Sequence, residues 1–110
     1  MTLRLSEAIR LGSMIRPQAF GILFDNTGSC AWGAAQEAIG MQGENWADLP
    51  SEWRDLWIES HSWLQCNKMF DIRMIAHLND DHRWNREQIA DFVETVERQW
   101  QAESATKAKA

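Results

Sequence analysis

Tyrosine is absent from this chain, and cysteine nearly so, with Cys30 and Cys66 the only two in 110 residues. Two thiols cannot build the dense disulfide framework of a small secreted domain, so a reducing, cytoplasmic setting is expected. Long apolar runs are missing too. No stretch approaches the roughly 18 consecutive apolar residues of a membrane-spanning helix. The opening MTLRLSEAIR puts no apolar run behind its charges, so neither a membrane span nor a signal peptide is expected. Two prolines and six glycines interrupt the chain, with no linker and no internal repeat. Gly21, Gly28 and Gly33 lack the Lys and Ser or Thr that a phosphate-binding loop needs at fixed places. Positive charge is short as well, since 11 Lys and Arg against 16 Asp and Glu leave a net charge of −5.

That charge is unevenly spread. Residues 1–20 carry Arg4, Arg10 and Arg16 against Glu7 alone, residues 21–100 are net −8, and the last ten residues are net +1. An acidic body repels phosphate and removes the driving force for sequence-independent nucleic-acid binding. The apolar share of 45% and charged share of 25% are ordinary, and they place the chain among globular domains with one core. Tryptophan is the outlier, at seven.

Periodicity predicts a mainly α fold of four to five short helices in one domain over 1–100, with a flexible tail over 101–110. Ser6 and Glu7 start a helix that runs over 6–15 before Pro17. QAFGILF over 18–24, followed by the turn residues DNTG, reads as a strand or extended segment, a minor β element near 19–30. Ser29 can cap a helix whose Ala31, Ala34, Ala35, Ala38 and Ile39 form a small-residue face suited to close backbone packing, with Gly40 ending it. After a loop through MQGENWADLP, a third helix from Asp48 or Ser51 carries Trp53, Leu56, Trp57 and Leu64. Asp71 can cap a fourth, holding Ile72, Ile75, Ala76 and Leu78, with Asn79, Asp80 and Asp81 as its polar exit. Asn85 and Gln88 form a capping box ahead of Ile89, Phe92, Val93, Val96 and Trp100, which predicts a last helix over 85–100.

Two segments carry a resemblance. LSEAIRLGSMIRPQAFG leading into GSCAWGAAQEAIG, together with IAHLNDDHRWNREQIADFVE, resembles a family of small, mostly uncharacterised proteins from bacteria and their phages. Its members join a GSCALGAA-like helix to a C-terminal HLNDxHxWSRExIADWL-like helical pair. The match covers residues 3 to about 40 and 72 to about 97, and it implies a mainly α single domain of phage or prophage source. Relatives carry a CPxC pair ahead of HLNDxH, a Cys, Cys, His, His set with zinc-finger spacing. Here the corresponding residues are Trp63, Leu64, Gln65 and Cys66, so the first thiolate position is a tryptophan.

Read from the residues themselves, Cys66, His77 and His82 have ligand-like spacing, and His61 could supply a fourth donor to a tetrahedral zinc. Residues 77 and 82 lie about 140° apart on a continuous helix, so both can face one ion only if the helix ends near Asn79. With the first thiolate missing, the expectation is a protein that folds without zinc, Trp63 filling the space by burial. Cys30 at a helix start could be an activated thiol. No His precedes residue 61 and small residues surround it, so a buried, inert thiol is expected. Asn79-Asp80-Asp81 lacks the spaced oxygen ligands of an EF-hand.

The helices on either side of residues 79–85 also suit a helix-turn-helix that would offer Arg86, Glu87, Gln88 and Asp91 to bases. Net charge argues against it. Seven tryptophans exceed what one small core needs, and Trp is enriched at binding hot spots. An interaction surface is therefore expected around His82, Arg83, Trp84, Arg86 and Glu87, unless Trp84 instead staples the helix start against Ile89. The functional expectation is a small, non-catalytic phage or prophage accessory protein that binds and modulates a host or phage protein. The alternative is a small zinc-binding or nucleic-acid-linked regulator. A protein partner is expected, a second copy of the chain among the candidates; nucleic acid, membrane and catalysis are not.

Overall fold

The computed structural model describes residues 3–22, 25–41, 49–56, 58–59, 69–70 and 74–109, with backbone alone at 58–59, 69–70 and 104–109. Within them the chain is mainly helical: α1 (Leu5–Gly12), α2 (Ala31–Ala38), α3 (Ser51–Arg54), α4 (Met74–Asp80) and α5 (Arg86–Lys109). Strands β1 (Ile58–Glu59) and β2 (Met69–Phe70) pair antiparallel, Ile58 opposite Phe70. The β element expected near 19–30 is an isolated parallel bridge, Gln18 to Ser29, in which Ala19 N–H donates to the Ser29 carbonyl at 2.8 Å.

The core is built from the faces that periodicity marked. Leu5, Ala8 and Ile9 of α1, Ala31 and Ala35 of α2, Ile75 and Leu78 of α4, and Ile89, Val93 and Val96 of α5 are all buried together. The alanine face does what small residues allow. A Cβ placed on Gly12 would lie 1.7 Å from the Ala34 carbonyl oxygen, so α1 and α2 cross backbone against backbone. Trp53 is buried and its indole N–H donates to the Leu3 carbonyl at 2.9 Å. Trp32 is also in the core, edge-on to Trp53 with ring centroids 6.1 Å apart.

Several boundaries differ from expectation for identifiable reasons. Helix α1 begins at Leu5, because Ser6 is already inside it and gives its N–H and hydroxyl to Glu97 of α5. It gives way after Gly12 to a turn, in which Met14 N–H donates to the Leu11 carbonyl and Ile15 N–H to Gly12, ahead of Pro17. The cap of α2 is Cys30, whose Sγ accepts from Gly33 N–H, while Ser29 is taken up by the bridge and by Arg86. The expected helix from Asp48 or Ser51 is only the four residues of α3, although Leu56 beyond it is still buried. Trp57, Leu64, Asp71 and Ile72 lie outside the described residues. The Asn85 and Gln88 capping box forms in both directions, Gln88 N–H to Asn85 Oδ1 at 2.7 Å and Asn85 N–H to Gln88 Oε1 at 2.9 Å. Residues 101–109, expected as a flexible tail, continue α5 to Lys109, consistent with their Ala, Glu, Gln and Lys content.

Candidate interaction site

The end of α4 is where the sequence concentrates polar residues, and its backbone turns sharply there. The His77 carbonyl accepts from both Asp81 N–H at 2.9 Å and His82 N–H at 3.3 Å, and Arg83 takes a positive φ of 57°. This geometry carries residue 82 back over residue 77. The Nε2 atoms of His77 and His82 stand 3.0 Å apart, ring planes at 78°. His77 Nδ1 donates to Asp81 Oδ2 at 2.6 Å. The condition set by helical geometry, an α4 that stops soon after Asn79, is therefore met. His61 and Cys66 lie outside the described residues, and among those described no group of three or more His, Cys, Asp or Glu is placed to hold a metal.

The residues expected on the interaction surface separate. His82, Arg83 and Glu87 are exposed, whereas Trp84 is half-buried and Arg86 is buried. Arg86 is thus corrected from a contact residue to an internal one. Its guanidinium donates to the carbonyls of Ser13 at 3.2 Å and Arg16 at 2.7 Å, and to the Ser29 hydroxyl at 2.9 Å. Burial pulls it below its usual pKa, yet an arginine stays protonated. It stitches the segment between α1 and α2 onto the start of α5. Trp84 packs edge-on against Phe92, centroids 5.8 Å apart. The aromatic partner is one turn beyond the Ile89 that a staple would use, because both rings lie over the outer edge of the core.

Basic residues near α1 are all matched by carboxylates. Arg10 donates to Glu87 at 3.3 Å and to Asp91 and Glu94 at 2.7 Å each, a stripe along one side of α5. Arg16 pairs with Glu37 at 2.8 Å and Arg4 with Glu7 at 3.1 Å. Donating hydrogen bonds to Asp91 first and then to Glu94 pushes the Arg10 guanidinium up, and the same contact holds the accepting Glu94 carboxyl below its usual range.

Exposure instead gathers in the segment that reads from sequence as helix and strand. Met14 is 83% exposed and Ile15 53%, with Leu11, Phe20 and Ile22 also open to solvent. Arg83 joins this set, its guanidinium carbon 4.4 Å from the Phe20 ring centroid. Below it Asn79, fully buried, ties α4 to two other segments at once. Its Oδ1 accepts from Gln18 Nε2 at 2.8 Å and Ala31 N–H at 3.1 Å, and its Nδ2 donates to the Ala19 carbonyl at 2.9 Å. Asp80 Oδ1 accepts from Gly21 N–H at 2.9 Å, so the apolar segment is tied down from two neighbouring side chains.

Cys30 is 3% exposed, and burial pushes its thiol up. Its environment is that of a packed side chain and not of an activated nucleophile. A cleft of about 450 Å³ opens between α1, α3 and α5, lined by Arg4, Glu52, Trp53, Asp55, Glu97 and Trp100 among others. No helix among the described residues is long and apolar enough to cross a membrane. No family model, curated protein or solved structure matches the chain.

Proposed function

We propose that this chain is a small, non-catalytic accessory protein, phage- or prophage-encoded, that acts in the host cytoplasm by binding a host or phage protein. The observation that carries the reading is the exposure of Leu11, Met14, Ile15, Phe20 and Ile22 within twelve consecutive positions, residues 11–22. Single exposed apolar residues need no explanation, but a concentration of large ones marks a contact surface. The segment is held by Asn79, Asp80 and Arg86 from elsewhere in the fold, so a partner meets a pre-formed surface and not a loose loop. Arg83, over the Phe20 ring, supplies the cation that hot spots favour beside aromatic and apolar anchors.

The phage or prophage source rests on the resemblance of residues 3–40 and 72–97. A protein partner is favoured over nucleic acid because Arg4, Arg10 and Arg16 are paired with carboxylates and Arg86 is buried. The first three are the basic cluster a phosphate would meet, and Arg86 is the arginine a recognition helix would have offered to a base edge. The burial of Cys30 supports the non-catalytic reading. The test is affinity capture from host lysate with the wild-type protein and a Met14→Asp, Ile15→Asp double variant whose circular dichroism is unchanged. The expected result is a specific partner lost with the variant. Equal capture by both proteins removes this surface from the proposal.

A further inference from the structure

We propose that the cleft between α1, α3 and α5 receives the guanidinium of an arginine carried on a partner's peptide segment, with Glu97 as its buried counter-ion and Trp100 as its stacking face. Glu97 is the decisive residue. It is 8% exposed and lines the cleft, and its two oxygens accept only from Ser6, Oε2 from the backbone N–H at 3.3 Å and Oε1 from the hydroxyl. An ionised carboxylate offers about four acceptor sites, so about two remain for a donor entering the cleft. Among the described residues no Lys, Arg or His forms an ion pair with it. Buried carboxylates are as a rule paired with a cation, and this one has hydrogen bonds but no counter-ion.

The rest of the lining suits the same chemistry. Glu52 and Asp55 stand exposed on the α3 side, and neither carboxylate has a hydrogen bond or ion pair among the described residues. Among the lining residues Arg4 alone is basic, and it is bonded to Glu7, which lies outside the lining. It feels Glu97 only at longer range. Arg54 of α3 is exposed and outside the lining, and Arg98 of α5 is bonded to Glu94. Three carboxylates thus meet one guanidinium that is already engaged, which disfavours an anionic occupant and favours a cation. Trp100 is half-buried and, among the described residues, touches no other ring. A guanidinium meets both features at once, since its planar fork matches a carboxylate and its face stacks on an indole, whereas an ammonium is a compact, strongly hydrated point charge. The volume of about 450 Å³ is that of a site for a whole small ligand, so the peptide on either side of the arginine enters with it, its N–H groups toward Glu52 and Asp55 at the rim. The cleft shares no lining residue with segment 11–22, so its occupant makes a contact separate from the surface proposed above and is tested without it.

The experiment is isothermal titration of the full chain with the acetylated, amidated tripeptide Leu-Arg-Leu. The comparison ligands are the same peptide with citrulline, the neutral isostere of arginine, and agmatine, a guanidinium without a peptide. Wild-type protein is expected to bind the arginine peptide at one site and each comparison ligand at least about tenfold more weakly, the scale of a lost charge-assisted hydrogen bond. Glu97→Gln is expected to weaken the arginine peptide by a similar factor. Because Glu97 also holds Ser6, Trp100→Leu serves in its place if that variant folds poorly, with a severalfold loss expected at unchanged circular dichroism. Absence of saturable binding of the arginine peptide overturns the proposal, and so does equal binding of the citrulline peptide or unchanged affinity in the folded variant. Agmatine binding as tightly as the arginine peptide overturns the assignment to a polypeptide partner.

Discussion

Asn79 carries more of the structure than its place in the polar run Asn79-Asp80-Asp81 suggests. It is fully buried and its side-chain amide is satisfied on both sides, by Gln18 and Ala31 as donors and by Ala19 and Asp80 as acceptors. Removing it leaves a buried N–H at the start of α2 and a part-buried carbonyl at Ala19 without their partner, and a fully buried group left so costs about 1–3 kcal/mol. Asn79→Ala should therefore destabilise the fold by about 2–4 kcal/mol, read as a lowered urea midpoint at unchanged slope. Asn79→Asp keeps the shape but turns an acceptor toward the Ala19 carbonyl and toward Asp80, so it should lose at least as much. An alanine variant within about 0.5 kcal/mol of wild type, the range of ordinary surface substitutions, would contradict this role. The residue read from sequence as a polar helix exit because exits are commonly polar. Its actual partners at positions 18, 19 and 31 are distant in the chain, and no local pattern reports them. Arg86 is hidden from a sequence reading for the same reason. A charged residue at the start of an amphipathic helix reads as exposed, and only the fold brings the Ser13, Arg16 and Ser29 groups around it.

Helix elements were legible wherever the signal is local. The reciprocal Asn85 and Gln88 bonds involve residues three apart, and the apolar stripe after them lies on one helix, so α5 could be placed at its start and along its buried face. The alanine face of α2 was legible as a surface for close packing, and Gly12 of α1 is what it packs against. Because the clash at Gly12 would be with the Ala34 backbone, which no rotamer change can relieve, Gly12→Ala should destabilise by about 3 kcal/mol or more. A melting temperature equal to wild type would mean that the two helices can separate without loss. Between α1 and α5, Arg10 gives a pH signature. Glu94 has a folded-state pKa below its unfolded value, by hydrogen bonding to Arg10. Its contribution is present above the unfolded carboxylate value of about 4.3 and disappears as the pH falls through the lower, folded one. Melting temperature should fall as the pH is lowered from 5 toward 3, and Arg10→Met should flatten that part of the decline. A variant whose acid profile parallels the wild type would show that the stripe of Glu87, Asp91 and Glu94 adds nothing through Arg10.

At the scale of the whole molecule, two aromatic or apolar sets compete for the role of contact surface, and they differ in what holds them. Trp84 is half-buried, its ring edge-on to Phe92, while its backbone N–H donates to the Leu78 carbonyl and its backbone carbonyl accepts from Gln18. Its ring is committed to the protein. Met14 and Ile15 sit on a turn whose backbone is held by Arg86 through the Ser13 and Arg16 carbonyls, while their side chains remain in solvent. The backbone is fixed, and the side chains are what the fold leaves unused. Tryptophan excess pointed toward Trp84 from sequence because composition cannot distinguish a ring packed at the core edge from one offered to a partner. The segment over 11–22, in turn, read as helix and strand because its apolar residues match those periods. The two sets respond oppositely to substitution. Trp84→Ala should lower stability by about 1–2 kcal/mol, as loss of a partly buried aromatic does, and leave capture of a partner unchanged when folded concentrations are matched. Met14→Asp should change stability by no more than about 0.5 kcal/mol and weaken capture. Measured side by side by urea unfolding and quantitative capture, the reverse pattern would return the interface to the turn before α5 and leave Met14 and Ile15 as incidental surface.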